Sequence, residues 1–396
     1  MPIPSPFHSR ISALATSQEW REWSGYYSIA KYNATHEREY YSVRSAAGLF
    51  DVSPLFKYEI TGPDALRLVD RIMTRDITKC QVGQVMYSPW CDEEGKVIDD
   101  GTISRLGENR FRITAADPSY RWFEDCGYGM DVDVQDISAE LGALAIQGPK
   151  SREILMKAFP EADVENLKYY WLTQTQSAGY PLSISRTGYT GDLGYEVWVS
   201  PEHAEKLWDR LAEIGQGYQL TPIGLIVLDM LRVEAGLILI EVDYISTFSA
   251  RIESQKSSPY DIGLGWTVKL NAGDFIGKKA LVAENKNGPK WSFVGLDIYW
   301  PDLEQKFGEV NLPPQIPGQA SRSPLPVYKS GRQIGQMTSI SFSPILKKYI
   351  AIGTIEREYA QIGQLVDLEV TVEYSRDTVR ATIADPSFFN PTRKRA

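Results

Sequence analysis

Apolar and polar residues alternate through Phe56-Lys57-Tyr58-Glu59-Ile60, the period-two signature of a half-buried strand. Thr61-Gly62-Pro63-Asp64 interrupts it, and Leu66, Val69, Ile72 and Met73 follow at helical spacing. The same succession returns later: Leu144-Ala145-Ile146 ends a strand, Gly148-Pro149 breaks it, and Ile154, Leu155, Ala158 and Phe159 mark a helix face. In both places the proline is expected near the first helical turn, where a missing N–H costs nothing. The repetition predicts two related α+β modules.

Residues 84–90 and 96–105 read as strands joined by an Asp92-Glu93-Glu94-Gly95 turn. Residues 182–186 and 195–199 form a second pair around a glycine-rich segment. Residues 201–214 are expected to be helical, with Ala204, Leu207, Trp208 and Leu211 on one face. A further helix is expected over 225–236, stopped by glycine. The Pro- and Gly-rich stretch 301–326 reads as a linker. Short strands with regular breaks follow at 326–328, 333–338, 349–355 and 365–372, the rhythm of a small antiparallel barrel or sandwich.

A chain of 396 residues is too long for one ordinary core, which fits two or three domains. The net charge of -9 argues against a nucleic-acid surface, which needs a basic stripe. No apolar run is long enough to span a bilayer, and the start of the chain lacks the pattern of a signal peptide. Cys80, Cys91 and Cys126, without CxxC spacing, predict reduced thiols in a cytoplasmic protein. His8, His36 and His203 lie in no metal-ligand spacing, so no metal site is expected. The 22 tyrosines and 10 tryptophans cluster, which suits either ordinary packing or a pocket for a flat ring.

Three segments break local rules. Asp99 and Asp100 interrupt a stretch that otherwise favours a strand. Neighbours on a strand face opposite ways, so one of the two at most can aim at a cavity; a solvated hairpin end is the competing reading. Arg186-Thr187-Gly188-Tyr189-Thr190-Gly191 through Glu196 is a glycine-rich turn, open either to close ligand approach or to a plain hairpin. It is no phosphate loop, lacking Gly-Lys-Ser/Thr. Asp229 and Arg232 are spaced to pair on a helix surface.

Taken in order, Gly48-Leu49-Phe50-Asp51-Val52-Ser53, Ile98-Asp99-Asp100, Gln147-Gly148-Pro149, Arg186 to Gly191, Arg232-Val233-Glu234-Ala235-Gly236 and Phe275-Ile276-Gly277-Lys278 resemble the T-protein (aminomethyltransferase) family. Gly335 to Ser339 and Phe342-Ser343-Pro344 extend the resemblance into the C-terminal part. It implies an α+β fold, a three-domain ring of two α+β modules and an antiparallel β-barrel around a central folate channel. The domains implied are 1–54 with 149–285, then 55–148 carrying the aspartate strand, then 290–396. The cofactor implied is tetrahydrofolate. By matching position Asp100 is the carboxylate near folate N5, and Tyr87, Gln147, Tyr189 and Glu196 hold the pterin.

Pro54, Leu228, Thr114 and Glu241-Val242-Asp243-Tyr244 depart from the usual T-protein pattern. They point away from a lipoyl-bearing partner and from aminomethyl as the cargo. The segment Trp90 to Lys96, with Asp100-Gly101-Thr102, is more similar to vanillate-type O-demethylases. That similarity implies that Tyr244 and Arg121 face the methyl donor, with Tyr27 or Tyr32 nearby. Arg121 would grip a carboxylate and Tyr244 would hydrogen-bond or protonate the leaving oxygen. An exposed arginine and a packed tyrosine fit those residues equally well. The resulting expectation is methyl transfer from a small donor, such as a methoxylated aromatic acid, to N5 of tetrahydrofolate. Glycine-cleavage-type aminomethyl transfer, or folate binding without transfer, are the alternatives.

Overall fold

The computed structural model describes residues 1–177 and 179–396. The first sheet has six strands, in the order Leu172–Ser177, Tyr180–Ser185, Gly194–Val199, Gly142–Gln147, Ala47–Asp51 and Leu220–Pro222. Its pairings are antiparallel except the last, which is parallel. The second sheet has five, in the order Val85–Cys91, Val97–Gly107, Arg110–Ala115, Phe56–Thr61 and Asp133–Asp136. Strands between Trp291–Ile298 and Ser375–Ala384 close into a six-stranded antiparallel barrel. This is the α+β architecture of two mixed modules and a barrel that the sequence predicts. Strand Gly142–Gln147 falls within the 55–148 bounds that the resemblance implies for the second module, yet it lies inside the first sheet. Its unbroken apolar run, buried throughout, suits a central strand.

Both strand–glycine–helix units form. Gly62 and Gly148 have φ of 114° and 125°, and a Cβ at either would stand 2.5 Å from a backbone oxygen. Pro63 and Pro149 sit just ahead of the helices Ala65–Ile72 and Ser151–Ala158, in the turn rather than the first helical turn. Helix Leu225–Ala235 ends at Gly236, left-handed at φ 68°. The expected linker contains a helix, Trp300–Gly308. Pro301 occupies its first turn, where proline is favoured, and Leu303 and Phe307 pack on the barrel core. The barrel also gains strands Trp291–Ile298 and Ser375–Ala384, which the sequence reading passed over.

Backbone bonds stitch the two α+β modules together: Val85 N–H donates to the Tyr170 carbonyl and Leu172 N–H to that of Gly83, both at 2.8 Å. Helix Leu225–Ala235 packs between the first module and the barrel, contacting strands of each. These junctions leave a cavity where the three parts meet. Among the described residues, no helix is long and apolar enough to cross a membrane.

Candidate active site

The cavity holds about 1020 Å3 and draws its walls from both sheets, the 236–240 segment and the barrel. The aspartate strand, Val97–Gly107, runs along one side, and its pleat separates the two carboxylates. Asp100 lines the cavity. Asp99 is fully buried behind it, where its Oδ1 accepts from the N–H of Asp100 at 2.7 Å. Its Oδ2 accepts from the N–H groups of Ala116 and Asp117 at 3.0 and 2.9 Å. Asp99 therefore shapes the backbone that presents Asp100. Gly101 is required directly after Asp100, because a Cβ there would meet the Thr114 carbonyl oxygen at 1.8 Å.

Two phenols fix Asp100. Tyr87 donates to its Oδ2 and Tyr244 to its Oδ1, each at 2.5 Å. Each oxygen keeps a further lone pair for a ligand N–H. Burial pushes the Asp100 carboxyl above the usual carboxylate range, while the hydroxyls of Tyr244 and Tyr87 pull it back down. Asp99 is held well above that range by burial and by the Asp100 charge beside it. Burial first, and the Asp100 charge next, hold the phenols of Tyr87 and Tyr244 in their protonated, donating form.

The opposite wall is the first sheet and its glycine-rich turn. Tyr189 presents its ring there while its hydroxyl donates to the Ile238 carbonyl. Glu196 also faces in, raised by burial and steadied by the hydroxyls of Thr187 and Ser185 and by the charge of Arg112. The Arg112 guanidinium lies 4.2 Å from the Trp198 ring centre, and burial pushes it down to about 10. Gln147 is almost wholly buried. Its amide donates to the carbonyls of Thr187 and Tyr195, both at 3.2 Å, and accepts from the Thr190 hydroxyl at 3.0 Å. A Cβ on Gly188 or Gly194 would collide with that amide at 2.0 or 2.1 Å. So Gln147 braces the turn as well as lining the cavity.

The five residues expected to hold a pterin, Tyr87, Asp100, Gln147, Tyr189 and Glu196, thus come together on one cavity. The four expected around the methyl donor do not. Arg121 projects into solvent with its side chain 83% exposed and pairs with Asp125 one helical turn on. Tyr32 is packed in the core of the first module. Tyr27 lies on the outer hairpin strand Tyr26–Lys31, its ring 6.1 Å from that of His8. Tyr244 is 3% exposed and lies behind Asp100, outside the cavity wall, so its hydroxyl serves the carboxylate. Asp229 and Arg232 are likewise not a surface pair. Arg232 is fully buried and donates to Asp229, Asp243, Ser339 and the Leu237 carbonyl.

Trp266, Tyr170, Arg75 and Arg322 also line the cavity and escaped the sequence reading. Trp266 stacks on Tyr87 at 6.3 Å and 21° while 54% exposed, and Arg75 donates to the Tyr87 carbonyl at 3.3 Å. A tryptophan directly after two closely spaced glycines, Gly263-Leu264-Gly265-Trp266, was the available signal.

The donor set fits a reduced pterin: a carboxylate with lone pairs to spare, a second carboxylate opposite, tyrosine faces for a flat ring, and enough room. Comparison with known proteins agrees. Residues 7–272 match the family model described as "GCVT N-terminal domain". Residues 311–390 match "Glycine cleavage T-protein C-terminal barrel domain". An aminomethyltransferase of Desulfitobacterium hafniense is 36% identical over 334 residues, 83% of this chain and 84% of its own. A trimethylamine-oxide aldolase of Ruegeria pomeroyi is 33% identical across 98% of this chain, which spans only 47% of that protein. The crystal structure of the glycine cleavage aminomethyltransferase T from Bartonella henselae shares the fold, with a TM-score of 0.82 at 23% identity, covering 98% of this chain and 99% of that one.

Proposed function

The chain belongs to the glycine cleavage T-protein family of one-carbon transferases, and on that premise we propose that it moves a methyl group from a small methylated molecule to N5 of tetrahydrofolate. The observation that carries the reading is Asp100, aimed into the cavity with one phenol on each oxygen.

Tetrahydrofolate, when bound, would supply N5 as the nucleophile for the methyl group and a proton for the leaving heteroatom. Asp100 places a negative charge where positive charge grows in the transition state, in a site that needs no reorganisation. Tyr87 and Tyr244 hold that carboxylate in one orientation and keep it ionised against burial. Glu196 and the Tyr189 ring hold the heterocycle from the far side, so that in-line approach is prepaid at binding. A methoxylated aromatic acid is the donor class we favour, because the cavity wall combines apolar surface with arginine.

Aminomethyl transfer is the second reading, favoured by the aminomethyltransferase relative of nearly equal length. A methylated amine is a further donor class, drawn from the trimethylamine-oxide aldolase relative. One experiment separates them. Purified protein with tetrahydrofolate is offered methoxylated aromatic acids, N-methyl amines and S-methyl compounds, and separately an aminomethyl-loaded lipoyl protein. Formation of 5-methyltetrahydrofolate supports the proposal; 5,10-methylenetetrahydrofolate from the lipoyl protein alone overturns it.

A further inference from the structure

Away from the tyrosines the cavity opens into an apolar antechamber walled by Trp23, Phe50, Leu225 and Leu228. Trp23 and Phe50 stack at 5.9 Å and 25°. Phe50 pairs with Ala145, and Ala145 with Glu196, so all three share one face of the first sheet. Two strand spacings, roughly 10 Å, therefore separate the Phe50 backbone from that of the carboxylate on the pterin side. The hairpin carrying Trp23 also reaches the end of strand Arg110–Ala115, the neighbour of the aspartate strand. Ser24 donates to the Ala116 carbonyl, and the Ala116 N–H in turn holds Asp99. The antechamber is thus next to the reacting end of the cavity.

Arg322 stands at its rim. Arg322, in the segment leading into the barrel, donates from Nε to Asp229 Oδ2 at 2.7 Å. Its two terminal nitrogens have no hydrogen-bond partner among the described residues, and its side chain is 44% exposed. Arg232 bonds the other oxygen of Asp229 but shares its single charge with Asp243, so Arg322 balances the second carboxylate of this cluster through Nε alone and leaves its two terminal nitrogens open. Arg21 reaches over to Gln319 at 3.2 Å and ties the hairpin to the same segment. What is left is a planar fork, fixed at its root and free at its tip, on the rim of an apolar chamber.

We propose that Arg322 anchors a carboxylate on the one-carbon donor, whose apolar body lies against Trp23, Phe50 and Leu228. The inference rests on the one-carbon-transfer reading above. A carboxylate is the anion that matches: its two oxygens meet the two free nitrogens side by side. A doubly charged phosphate would face the Asp229 carboxylate with one cation for two charges. The role expected of Arg121 thus passes to an arginine two hundred residues further along the chain (201 positions, from 121 to 322).

The test uses a matched pair of probes, 4-methoxybenzoate and 4-methoxybenzyl alcohol, binding to the full chain loaded with oxidised folate, whose N5 accepts no methyl group. Calorimetry on wild type, Arg322→Met and Arg322→Lys reads affinity without any turnover. Wild type should bind the acid more tightly than the alcohol. Arg322→Met should weaken the acid roughly ten- to a hundredfold, the usual worth of a charged hydrogen bond, and leave the alcohol unchanged. Arg322→Lys, which keeps the charge and loses the fork, should fall between. An equal loss for both probes, no preference for the acid in wild type, or no binding of either overturns the subsite. Methyl transfer is read separately as 5-methyltetrahydrofolate. Acid-selective binding without transfer from any donor keeps the Arg322 site and sinks the transfer reading; transfer from donors lacking a carboxylate, undiminished in Arg322→Met, does the reverse.

Discussion

The hydroxyl of Tyr244 stands 2.5 Å from Oδ1 of Asp100, although 144 positions separate the two residues in the chain. That contact makes Tyr244 part of the carboxylate's own setting. With Tyr87 on Oδ2, it leaves Asp100 rigid, ionisable and open to the cavity on its remaining lone pairs.

Asp100→Asn keeps the shape and a hydrogen-bonding end but removes the charge. Turnover should fall by roughly 100- to 1000-fold, the usual loss for a preorganised electrostatic contact, while tetrahydrofolate affinity changes little. Steady-state rates beside a folate titration measure both; unchanged turnover would remove Asp100 from the mechanism.

The pH profile tests the tyrosines. Burial raises Asp100, and the two phenols lower it. Activity that needs the carboxylate is lost as pH falls through its folded value, which lies above the ordinary carboxylate range. Tyr87→Phe removes one lowering contact, so the acid limb of kcat/KM against pH should move to higher pH. A limb that stays in place, or moves down, contradicts the assignment.

Gly188→Ala should displace the Gln147 amide, since its Cβ would stand 2.0 Å from Gln147 Oε1. Losing three hydrogen bonds of a buried amide costs about 1–3 kcal/mol. The double variant with Gln147→Ala should be less destabilised than the sum of the singles, because the clash partner is gone. Denaturant melts of all four proteins read the coupling.

Arg232→Met removes the guanidinium that two buried carboxylates share, leaving, among the described residues, Asp243 without a cation and Asp229 with Arg322 alone. Removing one partner of such a network costs about 3–5 kcal/mol. Thermal unfolding should show a large loss of stability; a shift near zero would mean that Arg322, Thr338 and Ser339 suffice for the two carboxylates.

The order of strands and helices was written in short-range pattern. Phe56 to Ile60 alternates whatever surrounds it, and Gly148 must adopt its turn because its own backbone demands it. The pleat alone decided that Asp99 and Asp100 part company. The ordered motifs, spread along the chain, also carried the family and five residues of one cavity. Helix Trp300–Gly308 escaped because its proline was weighed as a breaker where it serves as a start.

What lay beyond the sequence was depth and distant company. The spacing of Asp229 and Arg232 was visible, but their burial depends on a barrel strand more than a hundred residues later, which brings Ser339 to the guanidinium. Arg121 and Arg322 are the same side chain to any local reading. Helix and solvent surround the first, while the fold turns the second toward an apolar chamber and a carboxylate 93 positions away. Local sterics fix the elements; which side chains share a cavity is settled only when burial of the apolar faces forces the modules together.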